Sequence, residues 1–137
     1  MRFLLDTSVY LQPLRPKPLP VVEQHWRELG DEALAISALT LAEARGLLMQ
    51  RDSKKLWQLY TSFLEDKLTV LAYDEAVAVQ MGDLIAQDAA AEHPRSQLDL
   101  IVAATARQHR LILATTRPQA YEGIAGLAVE DWSSESA

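Results

Sequence analysis

The chain has 137 residues, of which 49% are hydrophobic, and a formal net charge of -6 at pH 7. This length allows one domain with an adequate apolar core and excludes a second full domain. Because the chain contains no cysteine, disulfides and thiolate metal sites are excluded, and any metal would bind to oxygen atoms or to His25, His93 or His109. A net negative charge repels a phosphate backbone, so binding of nucleic acid would need a local basic surface or bound cations.

The sequence also bears on where the protein acts. It does not open with a charged segment followed by an apolar run, as a secretory signal would, and no apolar run approaches the roughly 18 residues that span a bilayer. We therefore expect a cytoplasmic protein that does not contact the membrane.

The segment FLLDTSVY, from Phe3 to Tyr10, is the first with a clear functional signal. Three large apolar residues run directly into Asp6, which is typical of a buried parallel strand with an acid at its carboxyl end. Ligands of open α/β sheets bind just beyond the carboxyl ends of the strands, so Asp6, Thr7 and Ser8 are candidate site residues. Alternatively, Asp6 only caps a short following helix.

The next strand and helix introduce a second acid. The proline-rich residues 12–20 exclude a regular helix, residues 21–29 predict an amphipathic helix that ends at Gly30, and residues 33–36 predict a second buried strand. The following segment, Thr40-Leu-Ala-Glu43, matches a capping box, in which the glutamate stabilises the start of a helix. Glu43 is therefore either a structural residue or a site acid.

The second half of the chain repeats the alternation of strand and helix and adds a third acid, Asp99. It lies in the first turn of a predicted helix over residues 96–109, where its apolar neighbours suggest a partly buried carboxylate. The other predicted elements are a strand at 68–72, a helix at 74–85, a strand at 111–114 and a short last strand at 128–129. We expect the domain to span residues 1–132 and the polar tail, 133–137, to be disordered.

Strands that alternate with helices predict an α/β fold, in three layers, with a mainly parallel central sheet of four or five strands. Asp6, Glu43 and Asp99 would then lie near one end of that sheet. Three converging carboxylates repel one another unless a cation lies between them. Oxygen ligands of this kind suit Mg²⁺ or Mn²⁺.

Three segments in this order resemble the PIN-domain family, in particular the VapC- and FitB-like toxins of type II toxin–antitoxin pairs. They are LLDTSV at residues 4–9, ISALTLAEARGLL at 36–48 and LDLIVAATARQHRLILATT at 98–116. The resemblance implies a Mg²⁺- or Mn²⁺-dependent ribonuclease, usually a homodimer, that a co-expressed antitoxin protein holds inactive. Asp6, Glu43 and Asp99 would be its catalytic, metal-binding acids. Thr7 or Ser8 would help to order the waters of the metal, and Thr115 would match the threonine that follows the fourth strand.

The chain departs from the family pattern after Thr115. The family commonly has Asp or Asn two residues later, whereas this chain has Arg117, or Pro118 if Thr116 is the matching threonine, and neither side chain can bind a cation. The Arg117 guanidinium could pair with Asp6 or Asp99 through two nitrogens and compete with a cation, contact a phosphate, or point into solvent. The departure also leaves open a second function, a PIN fold without catalysis that binds RNA or a partner protein.

Overall fold

Five parallel strands form one sheet in the computed structural model, which describes residues 1–134. The strands are β1 Phe3–Leu5, β2 Leu34–Ser37, β3 Thr69–Leu71, β4 Ile112–Thr115 and β5 Val129–Asp131. Their order in the sheet is β3-β2-β1-β4-β5, with β1 at the centre. A central strand is covered on both faces, which explains why β1 is a continuous apolar run.

Helices follow the strands and cover both faces of the sheet, so the predicted three-layer α/β fold is confirmed. Alternate residues of β1 face different cores: Phe3 and Leu5 belong to one apolar cluster and Leu4 to the other. The helices are α1 Thr7–Tyr10, α2 Pro20–Leu29, α3 Ala38–Arg51, α4 Lys54–Phe63, α5 Glu75–Asp88 and α6 Gln97–His109; short 3₁₀ turns span Gln12–Leu14, Asp31–Ala33 and Pro118–Tyr121. Residues of α1 to α4 contribute to the first cluster, and residues of α5 and α6 to the second.

The start of α3 corrects one prediction. Ser37, rather than Thr40, caps this helix, because the Ser37 hydroxyl accepts a hydrogen bond from the Thr40 N–H at 3.1 Å. Glu43 therefore lies beyond the position that a capping box requires, so the predicted capping box is wrong. The sequence matched a capping box because Thr40 and Glu43 are three residues apart, but the helix begins about one turn before Thr40. Helix capping consequently does not explain Glu43.

The C-terminal end of the described chain packs into the first apolar cluster. Trp132 is fully buried, with its ring centroid 5.7 Å from that of Phe3 and 5.0 Å from that of His25. The predicted boundary at residue 132 stays a prediction, and residues 135–137 of the predicted tail lie outside the described residues. Within residues 1–134, no helix has the length and apolar character needed to cross a membrane.

Candidate active site

Asp6 lies at the centre of the site, immediately after β1. Its main-chain N–H extends the sheet by donating to the Ala114 carbonyl at 3.1 Å, and its side chain caps α1 by accepting from the Val9 N–H at 3.2 Å. The residue is 1% exposed. Capping is therefore real, but it uses only part of the hydrogen-bonding capacity of this buried carboxylate.

Two predicted hydroxyl residues bind the same carboxylate. The Ser8 hydroxyl donates to Asp6 Oδ1 at 2.5 Å, and the Thr115 hydroxyl donates to Oδ2 at 2.5 Å. The loop after β4 is attached to these hydroxyls, since the Thr116 N–H donates to Ser8 Oγ at 3.0 Å and the Arg117 N–H donates to Thr115 Oγ1 at 2.9 Å. The two strand ends thus form one hydrogen-bonded unit.

Tyr121, which the sequence did not single out, completes the environment of Asp6. It lies in the 3₁₀ turn Pro118–Tyr121, and its hydroxyl donates to Asp6 Oδ2 at 3.1 Å and lies 3.5 Å from Asp99 Oδ1. Burial raises the pKa of this hydroxyl well above its ordinary value, and the nearby charges of Asp6 and Asp99 raise it further. Tyr121 therefore remains a proton donor to the acids.

Arg117 and Asp99 form an ion pair beside this unit. Asp99 lies in the first turn of α6, as predicted, and its Oδ1 is 3.0 Å from Arg117 Nη2, which is also 4.0 Å from Asp6 Oδ2. Burial alone would lower the pKa of Arg117, but the hydrogen bond and charge of Asp99 outweigh it and raise that pKa above its ordinary value. The contact uses one nitrogen rather than a two-pronged fork, and the guanidinium does not simply point into solvent.

Glu43 and Thr7 form the other side-chain pair of the site. The Thr7 hydroxyl donates to Glu43 Oε1 at 2.7 Å. Both residues line a cavity of about 220 Å³ together with Asp99, Arg117 and Tyr121. Arg117 is the one basic residue among the side chains that line this cavity. Of the seven predicted site residues, Thr7, Glu43, Asp99 and Arg117 line this cavity, and Ser8 and Thr115 bind the carboxylate of the seventh, Asp6.

The fit of a divalent cation depends on Arg117 and on the hydrogen bonds that Asp6 already accepts. The available ligands are carboxylate and hydroxyl oxygens, which Mg²⁺ and Mn²⁺ prefer. However, an ionised carboxylate offers about four lone-pair sites, and Asp6 already accepts four hydrogen bonds. In the described part of the chain, no three Asp, Glu or His side chains lie close enough to form a metal-ligand group. The donor chemistry fits the ion, but the arrangement fits it only if Arg117 leaves Asp99 and one of the hydroxyl donors leaves Asp6.

A parallel α/β sheet with acidic side chains beside the carboxyl ends of its strands is a feature that this chain can share with known protein families. The family model described as "PIN domain" matches residues 3–125, and the chain belongs to this family. It is 29% identical to the tRNA(fMet)-specific endonuclease VapC of Shigella flexneri, over 97% of this chain and 99% of that protein. Toxin FitB of Neisseria gonorrhoeae is 33% identical over 82% of this chain and 85% of that protein. The crystal structure of DNA-bound VapBC from Salmonella typhimurium has a TM-score of 0.83 at 26% identity, covering 96% of this chain and 98% of that one.

Proposed function

We propose that this chain is a ribonuclease that hydrolyses phosphodiester bonds of RNA, acting in the cytoplasm as the toxin of a toxin–antitoxin pair. The main observation behind the proposal is that, in a PIN domain, Glu43 and Asp99 line one cavity and the Tyr121 hydroxyl links Asp99 to the buried Asp6. Similar proteins of nearly the same length are named endonuclease and ribonuclease, which supports an enzymatic rather than a purely binding role.

The residues of the site have different roles in the proposed reaction. Asp6 is buried and bound by four donors, so its role is to fix the negative charge at the base of the site. Asp99 and Glu43 line the cavity and can contact a water molecule there. Thr7 orients the Glu43 carboxylate. Among residues 1–134, the site contains no paired nucleophile and base of the serine or cysteine type, and attack by water does not need one.

We propose that Mg²⁺ or Mn²⁺ is the cofactor and that Asp6, Glu43 and Asp99 hold it. When bound, such an ion would supply a more acidic water molecule and neutralise charge on the phosphate. The chain itself provides the oxygen ligands, keeps Asp6 away from bulk water and places one positive group, Arg117, beside Asp99. Arg117 must leave Asp99 Oδ1 before a cation can use that oxygen.

A cation shared by these acids predicts stabilisation of the fold. At about 100 times its Kd, Mn²⁺ should stabilise the native state by about 2.7 kcal/mol, and Tm should rise by about 6–10 °C for a chain of this size. Thermal melts of the wild type in EDTA and in millimolar Mn²⁺ measure the rise. It should shrink in Asp99→Asn and persist in Asp83→Asn, which removes an exposed acid of α5. Equal melting temperatures with and without Mn²⁺ would contradict the shared site.

We also propose two protein partners, a small antitoxin and a second copy of this chain. The support for the antitoxin is that structural neighbours of this chain were crystallised as VapBC and FitAcB, and the PIN toxins that the sequence resembles act in such pairs. An open reading frame beside the gene that encodes a small protein with a DNA-binding head is the expected antitoxin. Light scattering of the purified chain should give the mass of a dimer, and a monomer would overturn that part of the proposal.

Cleavage of RNA by the purified chain tests the proposed activity. Because a relative is named for its action on tRNA(fMet), this RNA is the first substrate, with total cellular RNA as the second. We expect cleavage with Mg²⁺ or Mn²⁺, none in EDTA and suppression by the antitoxin. If rigorously purified protein binds RNA but cuts neither substrate with either ion, the chain is a binding module instead.

A further inference from the structure

The loop between α5 and α6 turns back onto a buried acid. Asp88, the last residue of α5, is 5% exposed. Its carboxylate accepts the main-chain N–H of Arg95 at 2.5 Å and the Arg95 Nη1 at 2.6 Å. A buried carboxylate is costly unless it is paired and hydrogen-bonded, so Asp88 holds both the main chain and the side chain of Arg95 in one place.

The rest of the Arg95 guanidinium reaches the turn that carries Tyr121. Nε donates to the Ala120 carbonyl at 2.9 Å, and Nη2 donates to the Glu122 carbonyl. These two carbonyls lie on either side of Tyr121 in the chain. A guanidinium is planar, with its N–H groups in a fixed fork, so three rigidly related contacts link Asp88 to both flanks of Tyr121.

This turn holds two groups of the candidate active site. Tyr121 donates its hydroxyl to Asp6, and the carbonyl of Arg117 accepts the Ala120 N–H at 3.0 Å. A hydrogen bond weakens steeply when its geometry deviates, and a displacement of about 1 Å can cost a large part of a catalytic rate. The position of the turn therefore affects how Tyr121 and Arg117 meet the acids.

We propose that Arg95, fixed by Asp88, is a positioning residue that holds the turn Pro118–Tyr121 so that the Tyr121 hydroxyl meets Asp6 and Asp99. Arg95 makes no contact with either of these acids in the described structure; it acts through the carbonyls of Ala120 and Glu122. An effect of Arg95 on RNA cleavage rests on the proposed ribonuclease function. Its effect on the position of the Tyr121 hydroxyl does not.

Apolar packing is the competing explanation for the position of Tyr121, because its ring also lies in the second apolar cluster. Burial of apolar surface is non-directional, and it does not by itself specify where the hydroxyl points. The hydrogen bonds of the forked Arg95 guanidinium, in contrast, are directional. The two explanations differ when the fork is removed and the positive charge is kept, which the substitution Arg95→Lys achieves.

The primary test follows the Tyr121 hydroxyl itself. In protein with ¹³C-labelled tyrosine, the ζ-carbon signal of Tyr121 is assigned by its loss in Tyr121→Phe. We expect Arg95→Lys to move this signal, because the hydroxyl leaves its position beside Asp6. Arg27→Lys, a control in an exposed ion pair with Glu23, should leave the signal unchanged. An unchanged signal in Arg95→Lys would show that packing alone places Tyr121 and would overturn the proposal.

RNA cleavage gives the second measurement. Arg95→Lys should lower kcat by about three- to tenfold with KM unchanged, because the loss concerns the alignment of the acids and not the RNA surface. If Arg95→Lys fails to fold, the neutral pair Asp88→Asn with Arg95→Gln replaces it and must move the same Tyr121 signal. If the wild type cuts no RNA, the ribonuclease proposal fails, while the Tyr121 signal still decides the positioning role.

Discussion

Replacing Asp6 with asparagine is expected to lower kcat for RNA cleavage by about 10²–10³-fold while the protein stays folded. Asparagine has the same shape and is as good a helix cap as aspartate, so it can still accept the Val9 N–H and the Ser8 hydroxyl. Its amide, however, would present a donor to the hydroxyls of Thr115 and Tyr121, which are donors in the native structure. The substitution also removes the negative charge at the base of the site.

The measurement for Asp6→Asn combines cleavage of tRNA(fMet) with a thermal melt of the same sample. Asp83→Asn removes one negative charge from an exposed position and should cut RNA at the wild-type rate. Asp6→Ala is a poorer choice, because losing an N-cap costs about 0.5–2 kcal/mol and would confuse stability with activity. Full activity in Asp6→Asn would mean that Asp6 only caps α1, which was the other interpretation of the sequence.

The parts of the site that could be predicted from sequence are those fixed by local pattern. Asp6 was recognisable because an apolar run that ends in an acid indicates the end of a buried strand. Asp99 was recognisable because its apolar neighbours in the first turn of a helix indicate a partly buried carboxylate. Glu43 was ambiguous for a local reason too, since its spacing from Thr40 imitates a capping box, and only the cap at Ser37 showed that the helix begins a turn earlier.

The parts that could not be predicted depend on contacts between distant residues. Tyr121 reaches Asp6 across 115 positions of sequence, and Arg95 reaches Ala120 across 25. A tyrosine or an arginine in a polar loop is ordinarily a surface residue, and nothing in the spacing of these residues distinguishes them. They become functional candidates only when the fold brings the 3₁₀ turn Pro118–Tyr121 over the ends of β1 and β4.

The substitution Arg117→Asp has the second largest expected effect, on the binding of Mn²⁺. In the structure, Arg117 Nη2 lies 3.0 Å from Asp99 Oδ1 and 4.0 Å from Asp6 Oδ2, between the two acids that a cation would join. The same oxygen of Asp99 cannot serve both positive groups at once. Arg117 is therefore expected to compete with the cation and to weaken its binding.

The size of this competition is limited by solvent. The Arg117 side chain is 48% exposed, and water screens such a pair, so its contribution is about 1 kcal/mol or less. Arg117→Gln, which removes the charge and adds no carboxylate, should therefore tighten Mn²⁺ binding by about threefold. Arg117→Asp also adds an oxygen ligand and should tighten it by about tenfold or more.

Calorimetric titration of Mn²⁺ into the wild type and both variants measures these affinities, and RNA cleavage at limiting Mn²⁺ should become faster in the same order. If Arg117 instead contacts a phosphate of the RNA, both substitutions should weaken RNA binding and leave the Mn²⁺ affinity nearly unchanged. If neither quantity changes, the ion pair with Asp99 has no part in the function. A rise in Mn²⁺ affinity that is larger for aspartate than for glutamine would show that position 117 sets how tightly this site holds its cation, because only aspartate adds both a negative charge and an oxygen ligand.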